Sequence, residues 1–197
     1  LHASSMEMRQ GKRPKKEYGS GIELFKKTLG IVGLGNIGKE VARRALGFGM
    51  RVVYHNRSRL DGAIEQQLGA RWVDKATLLR EADHLVIVVP YSPASHHLVA
   101  AADLALMKPT ATLTNIARGP IVDTAALTNA LTAGTIATAA LDVTDPEPLP
   151  RGHPLLEMPN VVIVPHLGSA TVETRRRMAE MSIANLLAGL RGEPLPT

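Results

Sequence analysis

A chain of 197 residues is long enough for one domain with a well-buried core and short for two full domains. Hydrophobic residues make up 45% of it and aromatic residues only 3%, which predicts a globular core of Val, Ile, Leu and Ala. The absence of cysteine excludes a disulfide framework and a thiolate metal site. The net charge of +5 is concentrated in the first segment without a recognition-helix or aromatic-platform pattern, so we expect no nucleic-acid partner.

Residues 1–20 read as a basic arm with little apolar periodicity. No apolar run approaches the roughly 18 residues of a membrane span, and the start lacks the charged-then-apolar order of a signal peptide. We therefore expect a cytoplasmic protein with no membrane partner. The chain begins with Leu1 rather than Met, which leaves room for a leader or a longer preceding segment.

Apolar runs then alternate with stretches of helical periodicity. The predicted strands are Thr28–Val32, Arg51–His55, a short strand near Trp72, and the runs 85–89, 111–114, 137–143 and 161–164. The predicted helices are 37–48, 61–68, 123–133 and 171–190. Continuously apolar strands are typical of a parallel sheet that helices cover on both faces. The predicted fold class is α/β, with a doubly wound parallel sheet of the Rossmann type.

The sequence GLGNIG at residues 33–38 follows the first strand and fits the G-x-G-x-x-G pattern of dinucleotide-binding proteins. Gly33 is expected to form the tight turn, Gly35 to let a pyrophosphate approach, and Gly38 to let the helix pack on the strand. Asn36 and Ile37 complete the expected contacts. Glycines that only close a strand-to-helix turn are the alternative, but the position between a strand and a helix favours a cofactor.

The tip of the second strand faces the adenosine ribose in such proteins, and an acidic residue there binds the 2′-hydroxyl of NAD. This sequence has Asn56, Arg57, Ser58 and Arg59 instead. Arginines can form charge-assisted contacts with the 2′-phosphate of NADP, which an aspartate would repel. The sequence therefore predicts NADP(H) in preference to NAD(H), with exposed surface arginines as the alternative.

Three further segments lie where predicted strands end: NIARGPIVD at 115–123, LDVTDPEPLPRGHPLL at 141–156 and VPHLGSAT at 164–171. Together with the glycine loop they resemble the D-isomer-specific 2-hydroxyacid dehydrogenases, from about residue 28 onward. The resemblance implies an oxidoreductase that transfers a hydride between a nicotinamide cofactor and a small 2-oxo acid.

The arginine, glutamate and histidine of that family match Arg118, Glu147 and His166. A guanidinium suits a substrate with a carboxylate and a polarised carbonyl, so Arg118 would bind it. His166 would give the proton to the carbonyl oxygen, and Glu147 would orient the imidazole and favour its protonated form. Each residue alone could be structural, but their joint order favours catalysis.

The resemblance also extends the expected cofactor site. Ser95 matches a hydroxyl residue near the pyrophosphate, and Asp142 matches a residue near the nicotinamide carboxamide. The predicted site further includes Pro90, Ala117 and Gly168. His96 and His97 adjoin Ser95, but adjacent histidines alternate faces on an extended segment and no carboxylate motif joins them, so we expect no metal.

Within the family, DVTDPEPLPRGHPLL and the later NLLAGLRGEPLP look most like the members that reduce glyoxylate and hydroxypyruvate. This implies NADPH-dependent reduction of one of these acids to the D-2-hydroxy acid. One alternative is a relative that acts on phosphoglycerate or D-lactate. The other is a non-enzymatic dinucleotide sensor, similar to corepressors that share the fold.

The resemblance implies that the family's discontinuous substrate domain is absent from this chain. The predicted organisation is a basic arm at 1–20, a cofactor-binding domain at 21–190 and the start of the return to the substrate domain at 191–197. Such a chain is expected to bind cofactor and to turn substrate over poorly. In the family the cofactor domains form a homodimer, so we expect residues around 4–18 to contribute to that contact.

Overall fold

A computed structural model describes residues 8, 9, 11 and 21–196. Its seven strands form one sheet in the order β3-β2-β1-β4-β5-β6-β7, with every neighbouring pair parallel. The strands are β1 (Thr28–Val32), β2 (Arg51–His55), β3 (Ala70–Trp72), β4 (His84–Ile87), β5 (Thr112–Asn115), β6 (Thr138–Leu141) and β7 (Val161–Ile163). Each run that the sequence predicts as a strand is confirmed, with small shifts at the ends.

The described helices are α1 (Asn36–Gly47), α2 (Gly62–Leu68), α3 (Lys75–Glu81), α4 (Ala101–Leu104), α5 (Thr124–Thr132) and α6 (Val172–Arg191). Short 3₁₀ turns lie at Pro93–Ser95, Gly119–Ile121 and Pro154–Leu156. Aspartates cap three of the helices: Asp61, Asp74 and Asp123 accept backbone hydrogen bonds at the starts of α2, α3 and α5. The predicted helices are confirmed, whereas α3 and α4 were missing from the prediction.

Helices cover both faces of the sheet because successive strand residues point to opposite sides. In β1, Leu29 and Ile31 pack in a buried cluster with Ala42 of α1. Val32 lies in the other buried cluster, together with Leu78 of α3. This arrangement confirms the predicted doubly wound α/β fold.

The strand order reverses at β1, which pairs with β2 on one side and with β4 on the other. The Gly33 amide donates to the His55 carbonyl at 3.0 Å, and the Val88 amide donates to the Val32 carbonyl at 2.9 Å, so the three strands end at one edge. Ligands of open α/β sheets bind in the crevice at such a reversal. The glycine turn and the β2 tip both lie there.

The chain divides into two compact units, residues 1–163 and 164–197. The first contains the whole sheet. The second contains α6, where the Thr171 hydroxyl accepts the Thr174 amide at 3.1 Å and Gly192 ends the helix with a φ of 70°. The predicted boundaries at residues 20 and 190 stay predictions. Apart from 8, 9 and 11, the predicted dimer segment 4–18 lies outside the described residues.

In the part of the chain that the structure describes, no helix combines the length and the apolar character that crossing a membrane requires.

Candidate functional site

The turn between β1 and α1 leaves no room for a side chain at two of its glycines. Gly33 has a φ of 101°, and a Cβ on it would stand 2.7 Å from Val89 Cγ1. A Cβ on Gly38 would overlap the carbonyl oxygen of Gly33. The two glycines therefore let α1 begin directly against the end of β1.

Gly35 has the opposite surroundings. It is the N-cap of α1, and nothing lies within 4 Å of the position where its Cβ would project. Among the described residues no side chain caps α1, and its first turn, which includes Asn36 and Ile37, contains no acidic residue. A helix start without a side-chain cap offers backbone amides to an anion. The turn therefore fits the pyrophosphate of a dinucleotide.

Asn56 ties the tip of β2 to this turn. Its Oδ1 accepts a hydrogen bond from the Leu34 amide at 2.7 Å, and its backbone carbonyl accepts one from Trp72 Nε1 at 3.2 Å. With Oδ1 used in this way, the Nδ2 group is what the side chain can still offer to a ligand. A neutral donor thus stands where an NAD site would place a carboxylate.

Two of the next three residues line a cavity, and the third does not. Arg57 and Ser58 are lining residues, but Arg59 is not among them. The Arg59 guanidinium donates to the Glu65 carboxylate, through Nε at 3.0 Å and through Nη2 at 2.7 Å. The structure therefore brings only the first two of these predicted residues to the cavity.

The cavity has a volume of about 420 Å³ and lies at the carboxyl ends of β1, β2 and β4. Pro90 and Ser95 form part of its wall. The buried Ser95 hydroxyl donates to the Pro90 carbonyl at 2.9 Å and accepts the Ser92 amide at 2.7 Å. Ser95 thus shapes the loop after β4, and a direct contact of its hydroxyl with a pyrophosphate stays a prediction.

Several lining residues escaped the sequence analysis: His55, Val88, Val89, Ser92, Ala94 and Leu98. Only their position in the fold could have indicated them. His55 ends β2 and the others follow β4, and the carboxyl ends of these two strands flank the reversal of strand order. None of the lining residues in the described chain is acidic.

Asn115 shapes the loop that carries Arg118. It is 1% exposed, its Oδ1 accepts the Ala117 amide at 3.0 Å, and its Nδ2 donates to the Arg118 carbonyl at 2.9 Å. Arg118 itself is exposed, and its Nη1 donates to the Ala117 carbonyl at 2.6 Å. A buried amide thus fixes the backbone that presents this guanidinium beyond the end of β5.

Asp142 and Glu147 lie on the next loop, after β6. The Asp142 amide donates to the Asn115 carbonyl at 3.0 Å, and Asp142 is 9% exposed. Glu147 is exposed, and one of its carboxylate oxygens lies 3.5 Å from the Thr144 amide. The carboxyl edge of the sheet therefore carries the loops of Arg118 and Glu147 side by side.

His166 and Gly168 belong to the second compact unit. His166 has a φ of 53°, and its amide donates to the Val164 carbonyl at 3.0 Å, which places it in a tight turn. The first unit gathers the other predicted residues at one edge of the sheet. The roles of His166 and Gly168 stay predictions.

The paired histidines are arranged differently from the expectation. His96 and His97 were expected on opposite faces, which is wrong: their rings stack with centroids 3.9 Å apart. The reason is the φ of 49° at His97, which turns the chain. Within the described residues, no group of three or more His, Cys, Asp and Glu side chains could hold a metal ion.

A parallel sheet that reverses order at β1, together with a glycine turn that opens a helix beside a cavity, defines a Rossmann-type dinucleotide-binding domain. The family model described as D-isomer specific 2-hydroxyacid dehydrogenase, NAD binding domain, matches residues 1–168. The chain belongs to this family, as the sequence predicted.

Curated relatives of this chain include two reductases. A protein of Aeropyrum pernix named "Glyoxylate reductase" is 51% identical over 176 residues, which is 89% of this chain and 52% of that protein. "Glyoxylate/hydroxypyruvate reductase B" of Pectobacterium carotovorum is 51% identical over 174 residues, which is 88% of this chain and 54% of that protein. The chain thus spans about half the length of these relatives.

Solved structures agree on the fold. The TT0316 protein from Thermus thermophilus has a TM-score of 0.90 and 47% identity, covering 99% of this chain and 61% of that one. The holo form of D-mandelate dehydrogenase from Rhodotorula graminis has a TM-score of 0.91 and 37% identity, covering 98% of this chain and 59% of that one.

Proposed function

We propose that this chain is the cofactor-binding part of an NADPH-dependent reductase that converts glyoxylate or hydroxypyruvate to the corresponding 2-hydroxy acid. The observation that carries the choice of cofactor is the lining of the cavity. Arg57 and Ser58 contribute to it, and no acidic residue of the described chain does. A 2′-phosphate gains charge-assisted hydrogen bonds from such a lining and meets no carboxylate that would repel it.

The cofactor, when bound, supplies the hydride that reduces the carbonyl carbon of the substrate. The backbone at residues 33–38 would hold its pyrophosphate, since the start of α1 carries no side-chain cap. Asn56 would donate to the ribose through Nδ2, because its Oδ1 already accepts the Leu34 amide.

The names of the two reductases, each of which is 51% identical to this chain, support the choice of substrate. Glyoxylate and hydroxypyruvate are both small anions with a carbonyl next to a carboxylate. Arg118, on the loop fixed by Asn115, would bind that carboxylate and polarise the carbonyl oxygen.

Reduction also needs a proton on the carbonyl oxygen. We assign this proton to His166, with Glu147 as the carboxylate that orients the imidazole and favours its charged form. In the proposed reductive direction, a protonated imidazole gives its proton as the carbonyl carbon is reduced, and it recovers a proton from solvent.

We also propose that the protein forms a homodimer through the cofactor-binding domain and that it has a cytoplasmic location, where NADPH-dependent reduction fits. A monomeric mass by light scattering at micromolar concentration would contradict the first. Recovery of the native protein in a membrane or secreted fraction would contradict the second.

The cofactor proposal is tested by calorimetric titration of this chain with NADPH and with NADH. We expect tighter binding of NADPH, and Arg57→Ala should lower that preference by about tenfold, the effect of losing one charge-assisted contact. Arg51→Ala, at the opposite end of β2, is the matched control and should bind like the wild type. Equal affinities for the two cofactors in the wild type would refute the proposal.

The catalytic assignment is tested in the full natural protein with glyoxylate and hydroxypyruvate. We expect Arg118→Ala and His166→Ala each to lower kcat/KM by about a hundredfold or more, the size of lost charge stabilisation or proton transfer. Arg151→Ala, an exposed residue of the loop after β6, is the control. Wild-type reduction by the His166 variant would remove that residue from the mechanism.

A further inference from the structure

The buried carboxylate of Glu65 lies beside the proposed 2′-phosphate site without lining it. Its Oε1 accepts hydrogen bonds from the Tyr54 hydroxyl at 2.8 Å and from Arg59 Nε at 3.0 Å. Its Oε2 accepts one from Arg59 Nη2 at 2.7 Å. A carboxylate that is 8% exposed is costly to the fold unless it is paired and hydrogen-bonded in this way.

Tyr54 links this carboxylate to the backbone of the loop after β2. It is fully buried, and its hydroxyl accepts the Leu60 amide at 2.8 Å while it donates to Glu65. Burial, with the neighbouring Glu65 carboxylate, raises the pKa of Tyr54, so the phenol keeps the proton that it donates. The hydrogen bonds from Arg59 and Tyr54 lower the pKa of Glu65, so its carboxylate stays charged.

Three residues, Asn56, Arg57 and Ser58, lie between β2 and these anchors, and all three line the cavity. On one side, the Asn56 carbonyl accepts Trp72 Nε1. On the other side, the Arg59 side chain is held by Glu65 and the Leu60 amide by Tyr54. Residues 57 and 58 therefore span a short segment that is fixed at both ends.

We propose that Glu65 is a positioning residue for the NADPH site: through Arg59 and Tyr54 it fixes the loop that presents Arg57 and Ser58, and Arg59 is not itself a phosphate ligand. This rests on the proposed function. A loop fixed in its bound shape loses less freedom on binding, so the network contributes to affinity without touching the cofactor. The sequence alone assigned Arg59 to the phosphate, whereas its bonds assign it to Glu65.

The test is a double-mutant cycle on Arg59 and Glu65, with the dissociation constants of NADPH and NADH measured by calorimetry. We expect Glu65→Gln and Arg59→Ala each to weaken NADPH binding by about tenfold and to change NADH binding by less than about twofold. Because both substitutions break the same ion pair between Arg59 and Glu65, the double variant should bind NADPH no more weakly than the weaker-binding single variant. Glu40→Gln, an exposed glutamate of α1 paired with Arg43 and Arg44, is the control.

Two results would overturn the inference. One is additive losses of NADPH affinity in the cycle, which would make Arg59 a direct phosphate ligand. The other is unchanged or tighter NADPH binding by Glu65→Gln. If that variant fails to fold, Tyr54→Phe is the alternative, because it keeps the ring and breaks the same loop anchor. It should show the same selective loss of NADPH affinity, and unchanged NADPH affinity in this variant would count equally against the inference.

The failure of this inference can be told apart from failure of the proposed function. If Arg57→Ala abolishes the NADPH preference and Glu65→Gln does not, the cofactor proposal stands and the positioning role falls. If the wild type has no preference for NADPH, both fall. A role of Glu65 in stability alone would lower the affinities for the two cofactors equally, which the ratio of the two dissociation constants detects.

Discussion

Gly119 lies directly against the backbone of Thr144, so that a Cβ at position 119 would overlap the carbonyl carbon and oxygen of Thr144. This contact joins the loop of Arg118 to the loop of Glu147. In addition, the Thr124 hydroxyl donates a hydrogen bond to the Asp145 carbonyl at 3.1 Å. The spacing of two proposed catalytic residues therefore depends on the missing side chain of a third residue.

Gly119→Ala should push these loops apart. We expect a loss of about 1–3 kcal/mol in the free energy of unfolding, as for other overpacked sites. In the full natural protein, kcat/KM for glyoxylate should fall by about a hundredfold, since a shift near 1 Å in a reacting group has that effect. Gly152→Ala, in the same later loop and with open space around its Cβ, should behave like the wild type. Full activity in the Gly119 variant would show that the two loops are not coupled.

The glycine turn gives a second prediction, for cofactor binding alone. In Gly38→Ala the new methyl group would overlap the Gly33 carbonyl oxygen, so the start of α1 must move away from β1. We expect NADPH affinity of this chain to fall by about tenfold or more, because the amides that hold the pyrophosphate move with the helix. The matched change is Gly47→Ala at the other end of α1, where nothing lies near the added Cβ. Titration calorimetry on both variants decides the question.

The sequence predicted those parts of the fold and site that depend on local pattern. Gly33, Gly35 and Gly38 follow a regular spacing, and the apolar runs have the length of buried strands. The pairing of Arg59 with Glu65 could not be read in this way, because Glu65 lies on the buried side of the next helix and nothing in the local charges distinguishes Arg59 from Arg57.

The sequence prediction missed two helices, of which the first could have been recognised and the second could not. The helix α3 has a readable start, since Asp74 caps it and Leu78 and Leu79 supply buried positions. The helix α4 has only four residues, too few for a periodic pattern to show. The stacked histidines depended on a left-handed residue, which the letters of the sequence do not specify.

Two substitutions of Asn115 distinguish the role of its acceptor Oδ1 from that of its donor Nδ2. Asn115→Ala should leave the Ala117 amide and the Arg118 carbonyl without their partners in a buried place, at a cost of about 2–4 kcal/mol in unfolding free energy. Asn115→Asp keeps the acceptor for Ala117 but removes the donor to Arg118, so it should impair substrate binding through Arg118. Urea unfolding and the KM for glyoxylate in the full natural protein measure the two effects. Equal stability of the alanine variant and the wild type would contradict the first.

The last prediction concerns His84, the first residue of β4, whose ring is partly buried. Its Nδ1 lies 2.8 Å from the Thr112 hydroxyl, and its Nε2 is buried and has no hydrogen-bond partner among the residues that the structure describes. Burial lowers the pKa of His84 below its ordinary value of 6.5, an effect that Asp83 opposes and Lys27 supports.

The sign of the pH dependence follows from this shift. Below the ordinary value of 6.5, the unfolded chain binds a proton that the folded ring resists, so the stabilisation is complete above that pH and is lost as the pH falls. We expect the free energy of unfolding to decrease between about pH 7.5 and pH 5.5, and to decrease less in His84→Asn, whose amide can keep the bond to Thr112. Urea unfolding at several pH values measures both slopes. Parallel slopes for the His84 variant and the wild type would assign the acid sensitivity to other groups.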